Sequence, residues 1–178
     1  MNRRNFLTRG GIGLASTTLP PFAKAKQASS DSYNPKVKDY PKPDFPVGTR
    51  LLFQGDSITD MKWGRNESDR NHYLGHSYVF LIAARLGMDM PEAKLEFFNR
   101  GISGHKVSDL KARWQKDAID MKPDLLSILV GTNDVGMGIR HPNKAVSPVD
   151  FERDYRHIIE ASLKANPKLR IVLLDPFI

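Results

Sequence analysis

Three short polar turns in this sequence contain the residue types that acyl transfer needs. They are residues 55–60 (GDSITD), 99–104 (NRGISG) and 131–134 (GTND). The first turn supplies a serine hydroxyl, which can attack an ester carbonyl. The other two supply glycine backbone N–H groups and an asparagine amide, which can stabilise the negative charge that develops on the carbonyl oxygen. Glycine suits this role because a backbone without a Cβ atom can approach the oxyanion closely.

Each turn follows a short apolar run of the kind that forms strands buried on both faces. Four such runs occur, at residues 50–54, 95–98, 125–130 and 169–174. Apolar residues recur at helical spacing in residues 78–86, 107–121 and 150–165. This alternation predicts an α/β fold, a three-layer α/β/α sandwich on a parallel sheet. Because ligands bind outside the carboxyl ends of parallel strands, we expect the three turns at one edge of the sheet.

The three turns, in this order and each at a predicted strand end, resemble the GDSL or SGNH hydrolases over about residues 49–178. The resemblance implies a flavodoxin-like SGNH fold and ester hydrolysis through an acyl-enzyme, without a cofactor. It also implies that Ser57 is the nucleophile. Gly104 and Asn133 would then donate to the oxyanion together with the serine backbone N–H. Gly104 fits the family's second block better than Gly101 does.

The longer strings of these turns are similar to the family branch that includes carbohydrate acetylesterases such as xylan deacetylases. The expected substrate is therefore an ester of a carbohydrate or another small molecule, with acetylated carbohydrate preferred. A lysophospholipase-like or thioesterase-like activity is the alternative within the same family.

The family's last block is Asp-x-x-His, in which the histidine is the general base and the aspartate orients it. Of the five histidines, His72 and His157 follow an aspartate at this spacing, Asp69 and Asp154 respectively. The first pair lies just after the serine turn and the second within a predicted helix, whereas the family block follows a fifth strand. We expect neither histidine to be the base and expect the domain to be C-terminally incomplete. The alternative is a catalytically incomplete fragment or a non-catalytic carbohydrate-binding remnant.

Several of these residues also have ordinary structural interpretations. Ser57 could cap a helix N-terminus, and Asn133 could cap the segment that follows it. Gly104 could simply end a turn. Asp56 and Asp134 are expected to hold their loops by hydrogen bonding.

Two further groups of residues have weaker functional interpretations. Ser103 and His105 are two residues apart in one loop, and they are a poor alternative pair of nucleophile and base. Trp63, His72 and Tyr73 either line a substrate pocket or lie exposed on a loop.

The first 25 residues resemble a twin-arginine export signal. Arg3 and Arg4 precede a weakly apolar run at residues 10–19, and the string AKA at residues 23–25 fits a small-x-small cleavage site. The apolar run is too short to span a bilayer as a permanent helix, so no stable membrane anchor is expected. These features predict export by the twin-arginine route to the periplasm or the cell exterior.

Composition indicates the domain layout of the rest of the chain and limits the classes of partner it could bind. Residues 26–48 are polar and proline-rich, which predicts a linker before a hydrolase domain at residues 49–178. The formal net charge is +7, but four of the 27 basic residues lie in the first 25 positions, where no acidic residue occurs. The remainder carries no basic stripe interleaved with aromatics, so no nucleic-acid partner is expected. The sequence has no cysteine, which excludes disulfides, and no histidine and carboxylate spacing indicates a metal site.

Overall fold

A computed structural model describes residues 40–66, 72–142 and 145–176. One compact unit begins at Pro43 and contains all three polar turns. The predicted export signal, most of the predicted linker and Asp69 lie outside the described residues.

The compact unit is built on one parallel sheet. Its strands are β1 (Arg50–Gly55), β2 (Glu96–Asn99), β3 (Leu125–Leu129) and β4 (Arg170–Leu174). All three pairings are parallel and the spatial order is β2-β1-β3-β4. The predicted α/β fold with four parallel strands is therefore confirmed, and no strand boundary differs from its predicted position by more than one residue.

Within the described residues, five α-helices connect and cover these strands. They are α1 (Ser57–Asp60), α2 (Tyr78–Asp89), α3 (Val107–Trp114), α4 (Thr132–Arg140) and α5 (Pro148–Ala165). The helix predicted over residues 107–121 is α-helical as far as Trp114 and continues as a π-helical turn at Gln115–Ile119. The sequence did not predict α4, since Gly136 and Gly138 weaken its helical pattern. Within the part of the chain that the structure describes, every helix is too short or too polar to cross a membrane.

Helices pack on both faces of the sheet, as the three-layer prediction requires. On one face, Leu52 belongs to an apolar cluster with Leu110 of α3 and Ile158 of α5. On the other face, Leu51 packs in a cluster with Val79 of α2. Each fully buried aliphatic side chain of this kind contributes about 1.5–3 kcal/mol relative to leaving it exposed. Leu51 and Leu52, which are adjacent in β1, therefore pack against helices on opposite faces of the sheet.

Polar contacts fix α3 against α5 beneath this core. The Trp114 indole N–H donates to Ser162 Oγ at 2.9 Å, and Ser162 Oγ donates to the Ile158 carbonyl at 2.7 Å. At the edge of the same interface, Lys111 Nζ lies 2.8 Å from Asp154 Oδ1. Buried polar groups that are paired in this way orient α3, whose first residue follows the second polar turn.

Gly55 joins β1 to the serine turn at a point of very close packing. A Cβ atom there would lie 2.3 Å from the Leu129 carbonyl oxygen and 2.3 Å from Thr59 Oγ1. No side chain fits that space, so glycine allows the ends of β1 and β3 to meet the first turn of α1. The serine turn is thus held directly against the sheet.

Candidate active site

The three polar turns lie at the carboxyl edge of the sheet, around the point where its connections diverge. The chain leaves β1 towards β2 on one side, and it leaves β3 towards β4 on the other. Such a switch point opens a crevice between β1 and β3, where ligands of α/β sheets bind. Ser57 follows β1 and Asn133 follows β3, so they flank this crevice. Gly104 lies in the loop from β2 to α3, residues 100–106, called here the β2–α3 loop.

Ser57 is the first residue of α1, and it is exposed. The interpretation of Ser57 as a helix cap is wrong, because Asp56 occupies the N-cap and its Oδ1 accepts the Ile58 N–H at 3.0 Å. Burial raises the pKa of Asp56. With the cap supplied by its neighbour, Ser57 Oγ forms no hydrogen bond to any residue that the structure describes.

Asn133 binds the β2–α3 loop at the residue that follows Gly104. Gly104 has φ +82°, the left-handed region that favours glycine, and a Cβ there would meet nothing within 4 Å. Asn133 lies inside α4 rather than capping it, and its Nδ2 donates to the His105 carbonyl at 3.0 Å. This bond fixes the amide beside Gly104. An asparagine amide carries two N–H donors, so a second one remains.

Gly101 has a different role from Gly104. A Cβ on Gly101 would lie 2.4 Å from the Asp60 backbone nitrogen, so this glycine is a packing contact between two turns. The side chain of Asn99 closes the same contact. Its Oδ1 accepts the Gly101 N–H at 2.9 Å, and its Nδ2 donates to the carbonyls of Thr59 at 2.7 Å and Leu74 at 2.9 Å.

Asp60 clamps the serine turn to the β2–α3 loop. Its Oδ2 accepts the backbone N–H of Ser103 at 2.7 Å and the Ser103 hydroxyl at 2.8 Å. The same oxygen accepts Arg65 Nη2 at 2.6 Å, while Arg65 Nη1 donates to the Gly101 carbonyl at 2.9 Å. Burial opposes ionisation of Asp60, but the bonds from Arg65 and Ser103 outweigh it and lower the pKa of this carboxyl. An ionised carboxylate therefore joins segments more than forty residues apart.

Asp134 fixes the other end of the β2–α3 loop. Its two carboxylate oxygens lie 3.2 and 3.3 Å from the Val107 backbone nitrogen, at the start of α3. The side chain is buried, and burial raises its pKa to about 6. The predicted loop-holding roles of Asp56 and Asp134 are both confirmed by these contacts.

No histidine forms a hydrogen bond with Ser57 among the residues the structure describes. His72 and His157 are exposed, and Asp154 is engaged by Lys111 at 2.8 Å and Arg153 at 3.2 Å rather than by His157. His105 Nδ1 lies 3.3 Å from Arg113 Nε, and burial together with the Arg113 charge lowers the pKa of this imidazole.

The sequence did not assign a role to Asp60 or Asn99. It did not decide whether Trp63 lines a substrate pocket or lies exposed on a loop. Trp63 is buried, donates from its indole N–H to the Gly101 carbonyl at 2.8 Å, and lines a cavity of about 500 Å³. Tyr73 lines a separate cavity beside β2, and His72 is exposed. A signal for Asn99 was present, because an amide that ends a buried strand must find several partners.

The family model of the GDSL-like lipase/acylhydrolase family matches residues 53–178, which include all three turns. The chain belongs to this family. Its parallel sheet with helices on both faces is the GDSL fold, as the solved structures below also indicate.

Two curated relatives of this GDSL-family chain are similar over most of its length. An acetylxylan esterase of Geobacillus stearothermophilus is 39% identical over 135 residues, which are 73% of this chain and 60% of the esterase. The uncharacterized lipoprotein YqeF of Bacillus subtilis is 33% identical over 124 residues, covering 70% of this chain and 47% of that protein. The chain thus spans less than two thirds of either relative.

Solved structures agree with this GDSL-family assignment. A GDSL-like lipase candidate from Parabacteroides merdae superposes with a TM-score of 0.69 at 36% identity, covering 75% of this chain and 62% of that one. A variant of Axe2, an acetyl xylan esterase from Geobacillus stearothermophilus, superposes with a TM-score of 0.65 at 38% identity, covering 72% and 60% respectively.

Replacement of Asp60 by asparagine tests the clamp. Asp60→Asn removes the charge that Ser103 and Arg65 share, and we expect the free energy of unfolding to fall by about 1–3 kcal/mol. The loss is moderate because Arg65 is half exposed and water can solvate it. Ser103→Ala, which removes one of the three bonds, should cost less than about 1 kcal/mol. Urea unfolding of both variants checks this, and equal losses would contradict the clamp.

The raised pKa of Asp134 predicts a pH-dependent stability. Between the ordinary aspartate pKa of about 4 and the folded value of about 6, the folded state binds more protons than the unfolded state. The contribution of Asp134 to stability therefore falls as the pH rises through this window. Asp134→Asn keeps an acceptor for Val107, so the variant should gain up to about 3 kcal/mol relative to the parent chain between pH 4 and 6. Unfolding measured across this range checks the sign, and a pH-independent difference would refute it.

Proposed function

We propose that this chain carries the nucleophile and the oxyanion hole of a serine ester hydrolase. The main support is that three N–H groups and the Ser57 hydroxyl, all near the switch point, are available to bind a ligand because no described residue accepts from them. Neither the Ser57 N–H nor the Gly104 N–H bonds to any described residue, and Asn133 Nδ2 has one recorded bond for its two protons. Donors held in place before reaction are what a developing oxyanion requires.

In this proposal Ser57 Oγ attacks the ester carbonyl carbon, and the carbonyl oxygen gains the negative charge. The backbone N–H groups of Ser57 and Gly104 and the free N–H of Asn133 donate to that oxygen. Collapse of the tetrahedral intermediate releases the alcohol and leaves the acyl group on Ser57. Water then attacks the acyl-enzyme and releases the acid, so no cofactor enters the cycle.

Neither His72 nor His157 is proposed as the general base. Asp154, the partner that His157 would need, is bound to Lys111 instead. In Axe2, catalytic mutants have been solved in which a serine, an aspartate or a histidine is replaced by alanine. That set of residue types supports the same division of roles here, with Ser57 as the serine.

Acetylated carbohydrate is the proposed substrate class. The support is the 39% identity to an acetylxylan esterase and the structural similarity to Axe2. A short acyl group needs no extended apolar groove beside the serine. A lipase-like preference for long acyl chains is the competing possibility within the family, and substrate comparison separates the two.

Two substitutions test the proposed site in the protein expressed from its complete reading frame. Ser57→Ala should lower hydrolysis of p-nitrophenyl acetate and acetylated xylo-oligosaccharide by about 10⁴-fold or more. Asn133→Ala should lower kcat by about 10²–10³-fold, because the amide acts mainly in the transition state. The control is Ser108→Ala, at an exposed serine of α3, which should retain the parental rate. Full activity of Ser57→Ala would overturn the proposal, and faster hydrolysis of long-chain esters would overturn the substrate class.

We also propose that residues 1–25 direct export by the twin-arginine route, ahead of a linker at residues 26–48 and the hydrolase domain at residues 49–178. The basic, acid-free start with adjacent arginines supports the twin-arginine route. A relative named as a lipoprotein supports export in general. Replacing Arg3 and Arg4 together by lysine should keep the protein in the cytoplasm, whereas Arg9→Lys should not. Cell fractionation with both variants checks this, and export of the double variant at the parental level would contradict it.

A further inference from the structure

The position of Ser57 depends on the short helix α1 that carries it. This helix has only four residues, and it ends at Met61, which has a left-handed backbone with φ +33°. An isolated turn of helix is not stable in water, so contacts with the rest of the protein must hold it. Ser57 Oγ forms no hydrogen bond to any described residue. The contacts that hold α1 therefore also set the position of the serine.

Thr59 is the residue of α1 that a tyrosine holds from the protein interior. Its side chain is fully buried, and its Oγ1 lies 3.1 Å from the hydroxyl oxygen of Tyr78, the first residue of α2. The Tyr78 hydroxyl also hydrogen-bonds to Ser127 in β3. The Tyr78 ring packs edge-to-face against Phe53 in β1, with 6.0 Å between the ring centres. One phenol thus joins α1 and α2 to the two central strands.

The hydroxyl groups of Thr59, Tyr78 and Ser127 lie beside the apolar cluster that α2 forms with the sheet. Ser127 is the one polar residue of β3, and it is buried next to its strand partner Phe53. Buried hydroxyls that are paired with one another favour a single arrangement of the elements that carry them. Because hydrogen bonds are directional, these contacts constrain the orientation of α1 more tightly than apolar packing would.

The start of α2 is itself fixed against the end of α1. The His76 backbone N–H donates to the Met61 carbonyl at 3.0 Å. Ser77 Oγ then accepts the Val79 N–H at 3.2 Å and caps the N-terminus of α2. Tyr78 is therefore brought to α1 by backbone contacts as well as by its own hydroxyl.

Tyr78 is a neutral phenol at the pH values at which esterases are assayed. Burial raises the pKa of its hydroxyl, and the negative charge of Asp56 raises it further, against the opposing effect of the hydrogen bonds with Thr59 and Ser127. The ordinary pKa of tyrosine is already about 10. The group can therefore hold α1 in place, but it does not exchange its proton during the reaction.

We propose that Tyr78 is a positioning residue for the nucleophile and acts through Thr59 on the helix that carries Ser57. The proposal rests on the proposed function, because it takes Ser57 to be the attacking group. Attack requires close alignment with the ester carbonyl, and a displacement of about 1 Å can lower a rate by about 10²-fold. Loss of the Tyr78 hydroxyl should have a smaller effect, since the contacts of Asp56 and Asp60 still hold α1.

Tyr78→Phe tests the proposal in the protein expressed from its complete reading frame, because it removes the hydroxyl and keeps the ring that packs on Phe53. Single-turnover release of p-nitrophenol from p-nitrophenyl acetate, measured at several enzyme concentrations, separates acylation from ester binding. We expect the acylation rate constant to fall by about 10-fold with the dissociation constant of the ester unchanged. The fall should be the same from about pH 6 to about pH 9, because the phenol stays neutral there.

A parental acylation rate, a weaker ester affinity as the sole change, or a loss confined to one end of the pH range would overturn the proposal. Thr59 supplies an independent pair of variants. Thr59→Ser keeps the hydroxyl and should acylate within about twofold of the parental rate, whereas Thr59→Ala should lose about as much as Tyr78→Phe. The double variant of Thr59→Ala and Tyr78→Phe should lose no more than either single variant, because both remove the same bond. Losses that multiply in the double variant would contradict this.

The matched control is Tyr155→Phe, which removes the hydroxyl of another partly buried tyrosine, on α5. It should acylate at the parental rate, and a loss equal to that of Tyr78→Phe would overturn the positioning role. Failure of this proposal is distinguishable from failure of the proposed function. If Ser57→Ala abolishes acylation and Tyr78→Phe does not slow it, only the role of Tyr78 is wrong. If Ser57→Ala acylates at the parental rate, the proposed function is wrong and the positioning role with it.

Discussion

One carboxylate oxygen, Asp60 Oδ2, is the contact on which the arrangement of the site depends. It holds the backbone and hydroxyl of Ser103 and the guanidinium of Arg65, and so ties the turn after β1 to the loop after β2. Hydrogen bonds to a charged group are stronger than those between neutral groups, and the exposure of Arg65 and Ser103 to water moderates their net contribution here. Together with the contacts of Asn99, this clamp fixes the loop that carries Gly104 relative to the serine turn. Asp134 completes the frame by fixing the loop's far end at Val107.

In the same region, several buried polar atoms have no hydrogen-bond partner among the described residues. Asp56 Oδ2, Asp60 Oδ1 and Arg113 Nη2 are buried without partners among the described residues. Burial also raises the pKa of Asp134 to about 6. Proteins accept such costs chiefly where function requires them, while apolar clusters on both faces of the sheet supply the compensating stability. The unmet groups lie around the carboxyl ends of the strands, which is where ligands of this fold bind.

The strands and the family could be predicted because their signals are local. Residues 50–54 and 125–130 form continuous apolar runs that read as buried strands, and each ends in a turn containing glycine. The clamp could not be predicted, since Asp60 and Ser103 are 43 positions apart and their contact exists only after the sheet forms. Helix α4 was not predicted, because Gly136 and Gly138 interrupt its helical pattern of apolar residues. Similarly, Trp63 was assigned to a loop or a pocket wall with no indication that its indole N–H binds the Gly101 carbonyl.

Trapping the acyl group is the most direct test that Ser57 is the nucleophile. The protein from its complete reading frame would be mixed briefly with p-nitrophenyl acetate, quenched in acid and digested for peptide mass analysis. One added acetyl group should appear on the peptide that contains Ser57, and it should be absent when the same protein carries Ser57→Ala. An acetyl group on another serine, such as Ser103, with Ser57 unlabelled, would contradict the assignment.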